Sequence, residues 1–392
     1  FDGIYAKNYG TDLTIDAATT TGGKNGIKAQ NFGTGALSIT TTGDTTGKTK
    51  DGIYAKNEGT DLTINVTELG AVTGGRHGIF AENKGKGDLI IKTTGTTTGK
   101  GNFSSGISAK NGDRDNPAGT SLTINAATTT GEDYGIVARN YGSDALSITT
   151  TGTTTGTLYY GIFAYNKGAG ALKITTTGDT KGEKKNGIYA NNAGTDLTIY
   201  ADSTTGGTDG IKAKNRGKGA LSITTSGTTT GKTKDGIWAT NYQEGKSLTI
   251  NAADTEGGRN GIYAVNKGTG DLIIKTTGDT TGKTTDGIYA KNEGKGALSI
   301  TTTGTTTGGW SGIFAQNGDK NKLSSVTSLT INAAKTTGGT NGIYAYNSGT
   351  GALSITTSGD TEGTTGDGIF AQNGNKNKLS SVTSLTINAA KT

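Results

Sequence analysis

The sequence predicts an all-β chain wound as a right-handed parallel β-helix of about fifteen coils. Three observations carry that prediction. Only 30% of the 392 residues are apolar while 69 are glycine, so one thick globular core is excluded. The segment Gly-Ile-x-Ala-x-Asn recurs fifteen times, at Gly3, Gly26, Gly52, Gly78, Gly106, Gly135, Gly161, Gly187, Gly210, Gly236, Gly261, Gly287, Gly312, Gly342 and Gly368, with spacings of 23 to 30 residues. Fixed recurrence of scarce apolar residues marks a solenoid, in which each repeat aligns its small share of core with its neighbours, and it excludes a disordered chain.

Within each coil the first element is the Gly-Ile strand. Its period of two places Ile4, Ala6 and Asn8 on one face and Tyr5 and Lys7 on the other. Lys28 and Lys212 occupy the Tyr5 position in other coils, so that face is outside and Ile, Ala and Asn point inward. After a Gly-bearing turn comes Leu-x-Ile, as in Leu13-Thr14-Ile15 and Leu385-Thr386-Ile387, also with period two. A Thr/Gly tract then returns the chain, with Gly and Asn at corners expected to need unusual backbone angles. The repeated Asn, from Asn8 to Asn373, is expected to form an internal amide ladder. No hexad of the left-handed type appears. At roughly 4.8 Å per coil the array would be a monomeric rod about 70 Å long.

Two coil types alternate, one reading Asp12-Leu13-Thr14-Ile15-Asp16-Ala17-Ala18 and the other Ala36-Leu37-Ser38-Ile39-Thr40-Thr41-Thr42-Gly43, which suggests a doubled unit. Residues 312 to 336 and 368 to 392 differ only at Asp319 against Asn375, as in a recently duplicated array. The whole of 1–392 reads as one repetitive domain. It opens in mid-repeat at Phe1-Asp2-Gly3 and stops at Lys391-Thr392, so it is expected to be a mature fragment, with signal peptide, caps and membrane anchor outside it. There is no Cys, hence no disulfide or thiolate metal site, and no apolar run long enough to span a bilayer.

These repeats (DGIYAKNEGTDLTIN, GTGALSITTTGDTTGKTKDGIYAKN, GGTNGIYAYNSGTGALSITTSGD) resemble the passenger domains of bacterial autotransporters, in particular the repetitive passengers of arthropod-borne bacteria that invade vascular cells. The resemblance covers the chain and implies type V secretion, an extracellular or outer-surface location and a role in virulence. Among the functions it implies, adhesion to host cells comes first. Second is a diffusible, pro-angiogenic agonist of a host receptor such as a vascular endothelial growth factor receptor.

The residues argue against an enzyme. A Ser-His-Asp triad would have to use His77, the one histidine, read here as a solvated turn residue, and no Gly-x-Ser-x-Gly elbow occurs. Asp12, Asp61 and Asp196 recur beside Gly-Thr turns as part of the repeat, not as paired acids in a polysaccharide cleft. The calcium-binding nonapeptide is absent, and neither cofactor nor metal is expected. An ice-binding Thr face is a minor alternative. Ser38-x-Thr40-x-Thr42 fits it, but Lys92, Lys173 and Lys275 intrude.

Binding is the better reading. The outward position after Gly-Ile is aromatic in eleven coils, and the last six are consecutive: Trp238, Tyr263, Tyr289, Phe314, Tyr344 and Phe370. At the usual spacing they form an exposed ladder about 24 Å long, which serves either to stiffen the sheet or to hold a partner. Extra residues follow the Asn at 112 to 120, 242 to 246, 318 to 328 and 374 to 384, all at the corner beside that strand. Lys320 and Lys322 in the third insertion are candidate contacts. Lys24, Lys50, Arg76, Lys184, Lys185, Lys234 and Arg259 precede the Gly-Ile strand as a basic ridge, and with the net charge of +6 they suit a host surface protein or a glycosaminoglycan. The charge is too dilute for nucleic acid, and the fragment is not expected to insert into a membrane.

Overall fold

The computed structural model describes residues 1–115, 118–318, 327–374 and 383–392. Every regular element in them is a β-strand, and the chain is a right-handed parallel β-helix of about fourteen turns. Most turns have three strands, because the sequence supplies three short extended segments separated by glycine-bearing corners, and near the end two of them run together as Leu353–Gly363. One coil runs Ile27–Asn31, Leu37–Thr41 and Thr45–Gly47. It pairs in parallel, without slip, with Ile53–Asn57, Leu62–Val66 and Val72–Gly74. Two compact units result, Phe1–Thr198 with the first eight Gly-Ile strands and Ile199–Thr392 with the remaining seven.

The alternation predicted from the sequence holds in both units. Ile27, Ala29, Leu37 and Ile39 are fully buried in the first, as are Ile262, Ala264, Leu272 and Ile274 in the second. Each large side chain contributes roughly 1.5–3 kcal/mol on burial, so three per coil, repeated, outweigh the low apolar content. A slip of one residue would turn every one of them outward, which is why the register holds so strictly.

The corner glycines are there for a different reason from the one the sequence suggested. Among the described glycines only Gly112, Gly318 and Gly374 have positive φ, and all three open insertions. Gly26 instead lies where the coils touch: a Cβ there would sit 2.7 Å from the Gly52 carbonyl oxygen and 2.8 Å from the Thr45 methyl. The Thr of the return strand therefore docks its methyl into the notch left by Gly. Its hydroxyl is idle: Thr45, Thr97, Thr229 and Thr280 bury hydroxyls with no partner, and Val72 takes the same place between Thr45 and Thr97.

The internal amide ladder is present. Asn31 Nδ2 donates to Asn57 Oδ1 (2.9 Å), Asn57 to Asn83 (3.1 Å) and Asn83 to Asn111 (3.2 Å). In the second unit Asn241, Asn266, Asn292 and Asn317 continue the same pattern at 3.0–3.2 Å. Each amide also satisfies its own corner. Asn266 Nδ2 donates to the Gly270 carbonyl (2.8 Å), and its Oδ1 accepts the Gly268 N–H (3.2 Å). Buried corner groups that would otherwise lack partners are thereby paired.

Candidate functional site

The outward column of the second unit starts at Lys212, whose Nζ lies 4.9 Å from the Trp238 ring centroid. Six rings follow. Trp238 and Tyr263 are 5.9 Å apart, Tyr263 and Tyr289 4.8 Å, Tyr289 and Phe314 4.8 Å, Phe314 and Tyr344 5.3 Å, and Tyr344 and Phe370 4.6 Å, with interplanar angles of 2° to 9°. In-register strands fix that spacing, since each ring sits on the residue opposite its neighbour. Stacking covers the ring faces, as expected of neighbouring rings that stiffen the sheet, and leaves the six partly buried and not fully exposed. Burial pushes the Tyr263 and Tyr289 hydroxyls above the ordinary tyrosine range. What remains exposed of the six rings lies side by side along the column.

The first unit carries the same column in pieces. Tyr54 and Phe80 stack at 5.2 Å, as do Phe163 and Tyr189. Between these pairs stand Ser108 and Val137, and Lys28 lies over both Tyr5 (4.8 Å) and Tyr54 (5.9 Å). A second cluster beside this column was missed at the sequence level. Tyr134, Tyr159 and Tyr160 stack at 5.4 and 5.7 Å next to Phe163.

Also missed was a polar column at the residue immediately before Gly-Ile. Its side chain accepts the corresponding backbone N–H of the next coil: Asp2 from Asn25, Asn25 from Asp51, Asp51 from His77, and His77 Nδ1 from Ser105, at 3.0–3.1 Å. In the second unit Asp209, Asp235, Asn260 and Asp286 do the same for Asp235, Asn260, Asp286 and Ser311. The recurrence of Asp, Asn or Ser before Gly was the available signal. His77 belongs to this column and is not a solvated turn residue. It is partly buried, its ring lies 5.7 Å from Phe80, and desolvation pulls its pKa down to about 4.

The basic ridge is also corrected. Arg76 and Arg259 turn onto the buried carboxylates of Asp51 and Asp235, so their charges are spent within the fold. Lys24, Lys50, Lys184, Lys185 and Lys234 remain exposed. Where the ladder meets this column a cavity of about 280 Å³ opens, lined by Asp286, Tyr289, Trp310, Ser311, Phe314, Asn341 and Tyr344. Burial raises the Asp286 carboxyl to about 6.

Lys320 and Lys322 lie outside the described residues. The insertion at 242 to 246 is described in full and folds on itself, with Gly245 N–H donating to the Tyr242 carbonyl (2.8 Å) and Arg216 lying 4.5 Å over the Tyr242 ring. Asp12 and Asp61 accept the Ala36 and Asp88 N–H groups (2.7 and 2.8 Å), a capping role. Among the described residues no group of three or more His, Asp or Glu is arranged to hold a metal. No protein-family model matches the chain, and no curated protein or solved structure does either.

Proposed function

We propose that the chain is a secreted or surface-displayed passenger that binds host cells through the aromatic column of its second unit. One observation carries this reading. The scaffold keeps its register over Lys28, Ser108 and Val137, so it needs no ring at that position, yet six consecutive coils of the second unit supply one. A strip of rigid side chains with open edges suits a protein interface, where aromatic anchors dominate the energy. The absence of Cys fits a chain that crosses an outer membrane unfolded.

The test compares two variants of the full chain on host cells. Replacing Tyr289 and Phe314 with Ser, the residue naturally present at 108, should weaken binding by more than about tenfold at any salt concentration. Replacing Lys320 and Lys322 with Gln should matter mainly at low salt, because rim charges chiefly tune association rate. A Ser variant that keeps its β dichroism and binds normally would leave the column a structural stack only.

A further inference from the structure

Three corners share one backbone pattern, and the side chain beside the buried aspartate is arginine in two of them and tryptophan in the third. Arg76 N–H donates to the Lys50 carbonyl (2.8 Å), Arg259 to Lys234 (2.8 Å) and Trp310 to Thr285 (2.7 Å). The next residue then donates its N–H to an aspartate Oδ1 of the preceding coil: His77 to Asp51 (3.1 Å), Asn260 to Asp235 (3.2 Å) and Ser311 to Asp286 (3.1 Å). At the first two corners a guanidinium completes the site. Arg76 and Arg259 each place Nε 2.9 Å from Oδ1 and Nη2 against Oδ2, and lie 5.9 Å from the Phe80 centroid and 5.8 Å from that of Tyr263. At the third corner Trp310 stands in the arginine's place. Asp286 has no ion pair among the described residues, and the cavity lies between it and the rings of Tyr289, Phe314 and Tyr344.

We propose that this cavity binds the guanidinium of an arginine side chain presented by a protein partner, seated on Asp286 as Arg76 and Arg259 sit on Asp51 and Asp235. The chain thus supplies its own template for the ligand. Asp286 is 6% exposed, so a cation reaching it gains a carboxylate already withdrawn from water, and the raised pKa reflects the cost of leaving that charge unpaired. A planar fork matches two carboxylate oxygens where a rounded ammonium does not. The column's rings cover one another's faces, so what they add for a cation is limited to the contact that Arg76 and Arg259 already make, 5.9 and 5.8 Å from the Phe80 and Tyr263 centroids. That the arginine belongs to a protein partner rests on the binding reading above, since the cavity opens on the aromatic strip. The guanidinium preference does not depend on it.

The test uses the full chain and the indole N–H resonances of its two tryptophans. Nα-acetyl-arginine amide should shift the Trp310 resonance saturably, and the neutral citrulline analogue should bind at least about tenfold more weakly, having lost the charge-assisted pair. Asp286→Asn, which still accepts the Ser311 N–H, should abolish the shift. In Trp310→Arg the chain fills its own cavity, so calorimetric titration with Nα-acetyl-arginine amide, which binds the parent chain, should show no binding. Equal response to citrulline, survival of the shift in Asp286→Asn, or no shift in the parent chain would overturn the site. A second arm identifies the source. Capping host-surface arginines with phenylglyoxal should weaken binding of the parent chain but not of Asp286→Asn. If the small probe binds while capping changes nothing, the site takes a free cation and the partner-arginine assignment falls.

Discussion

The two units carry the same fold and opposite surfaces. In the first, the outward column reads Tyr5, Lys28, Tyr54, Phe80, Ser108, Val137, Phe163 and Tyr189. In the second, Lys212 is followed by rings without a break. Inward, the Ile, Ala, Leu and Asn positions barely differ. The solenoid is held by its inner face and lets its outer face vary. The unbroken run of six rings is the part of the outer face to which the proposed binding role is assigned.

The largest test of this division concerns the inner ladder. Asn57→Ala in the first unit and Asn266→Ala in the second should each cost about 3 kcal/mol, since each leaves a neighbouring amide and several corner groups unpaired. Denaturant melts read by amide exchange within each unit would check it. A large cost in one unit and none in the other would break the claim that the inner faces are equivalent.

Next come the corners. Arg259→Ala should cost about 2 kcal/mol, because it strands the buried Asp235 carboxylate, whereas Trp310→Ala should cost little, because Trp310 is 59% exposed. Two further corner residues should respond to acid with opposite sign. His77, with its pKa held at about 4, refuses a proton that the unfolded chain accepts, so its contribution is lost as pH falls from about 6.5 to 4. Asp286, raised to about 6, takes a proton sooner than the unfolded chain does, so its penalty stands above pH 6 and is relieved on the way down to about 4. Asn occupies the same column at 25 and 260. His77→Asn should therefore improve stability by roughly 2 kcal/mol at about pH 4 and leave it unchanged at about pH 7.5. Asp286→Asn should do the reverse, and thermal melts at the two pH values would show whether the signs are right.

The smallest effect belongs to the return strand. Thr97→Val and Thr280→Val should each add about 1 kcal/mol by removing an idle buried hydroxyl, as Val72 already does in one coil. A loss on denaturant melting would mean that the hydroxyls have a partner after all.

The fold was legible in the sequence because a solenoid writes its core as a period: Gly-Ile-x-Ala-x-Asn and Leu-x-Ile give strand, facing and register together. The aromatic column was legible for the same reason, and so was the covering of each ring by its neighbours, because in-register strands bring like positions side by side. The corner column escaped notice because its residues vary among Asp, Asn, Ser, His and Tyr. At its Asp, Asn and His positions what recurs is an acceptor for the next coil's N–H, not a residue type, and after Ser105 and Ser311 that N–H turns to the Ser104 and Trp310 carbonyls instead. The Asp286 cavity was hidden further. It arises from Trp310 standing where Arg76 and Arg259 stand elsewhere, and that contrast has meaning only once each arginine is seen to pair with the preceding coil's aspartate.

Under the proposed function the second unit's column binds and the first unit's does not. The direct measurement is the affinity of the full chain for host cells after matched replacements, Tyr289→Ser with Phe314→Ser in one variant and Phe163→Ser with Tyr189→Ser in the other. Both pairs remove stacked rings from the same outward position. The second-unit pair should lose more than about tenfold and the first-unit pair less than about twofold. Equal losses, or a larger one in the first unit, would contradict it.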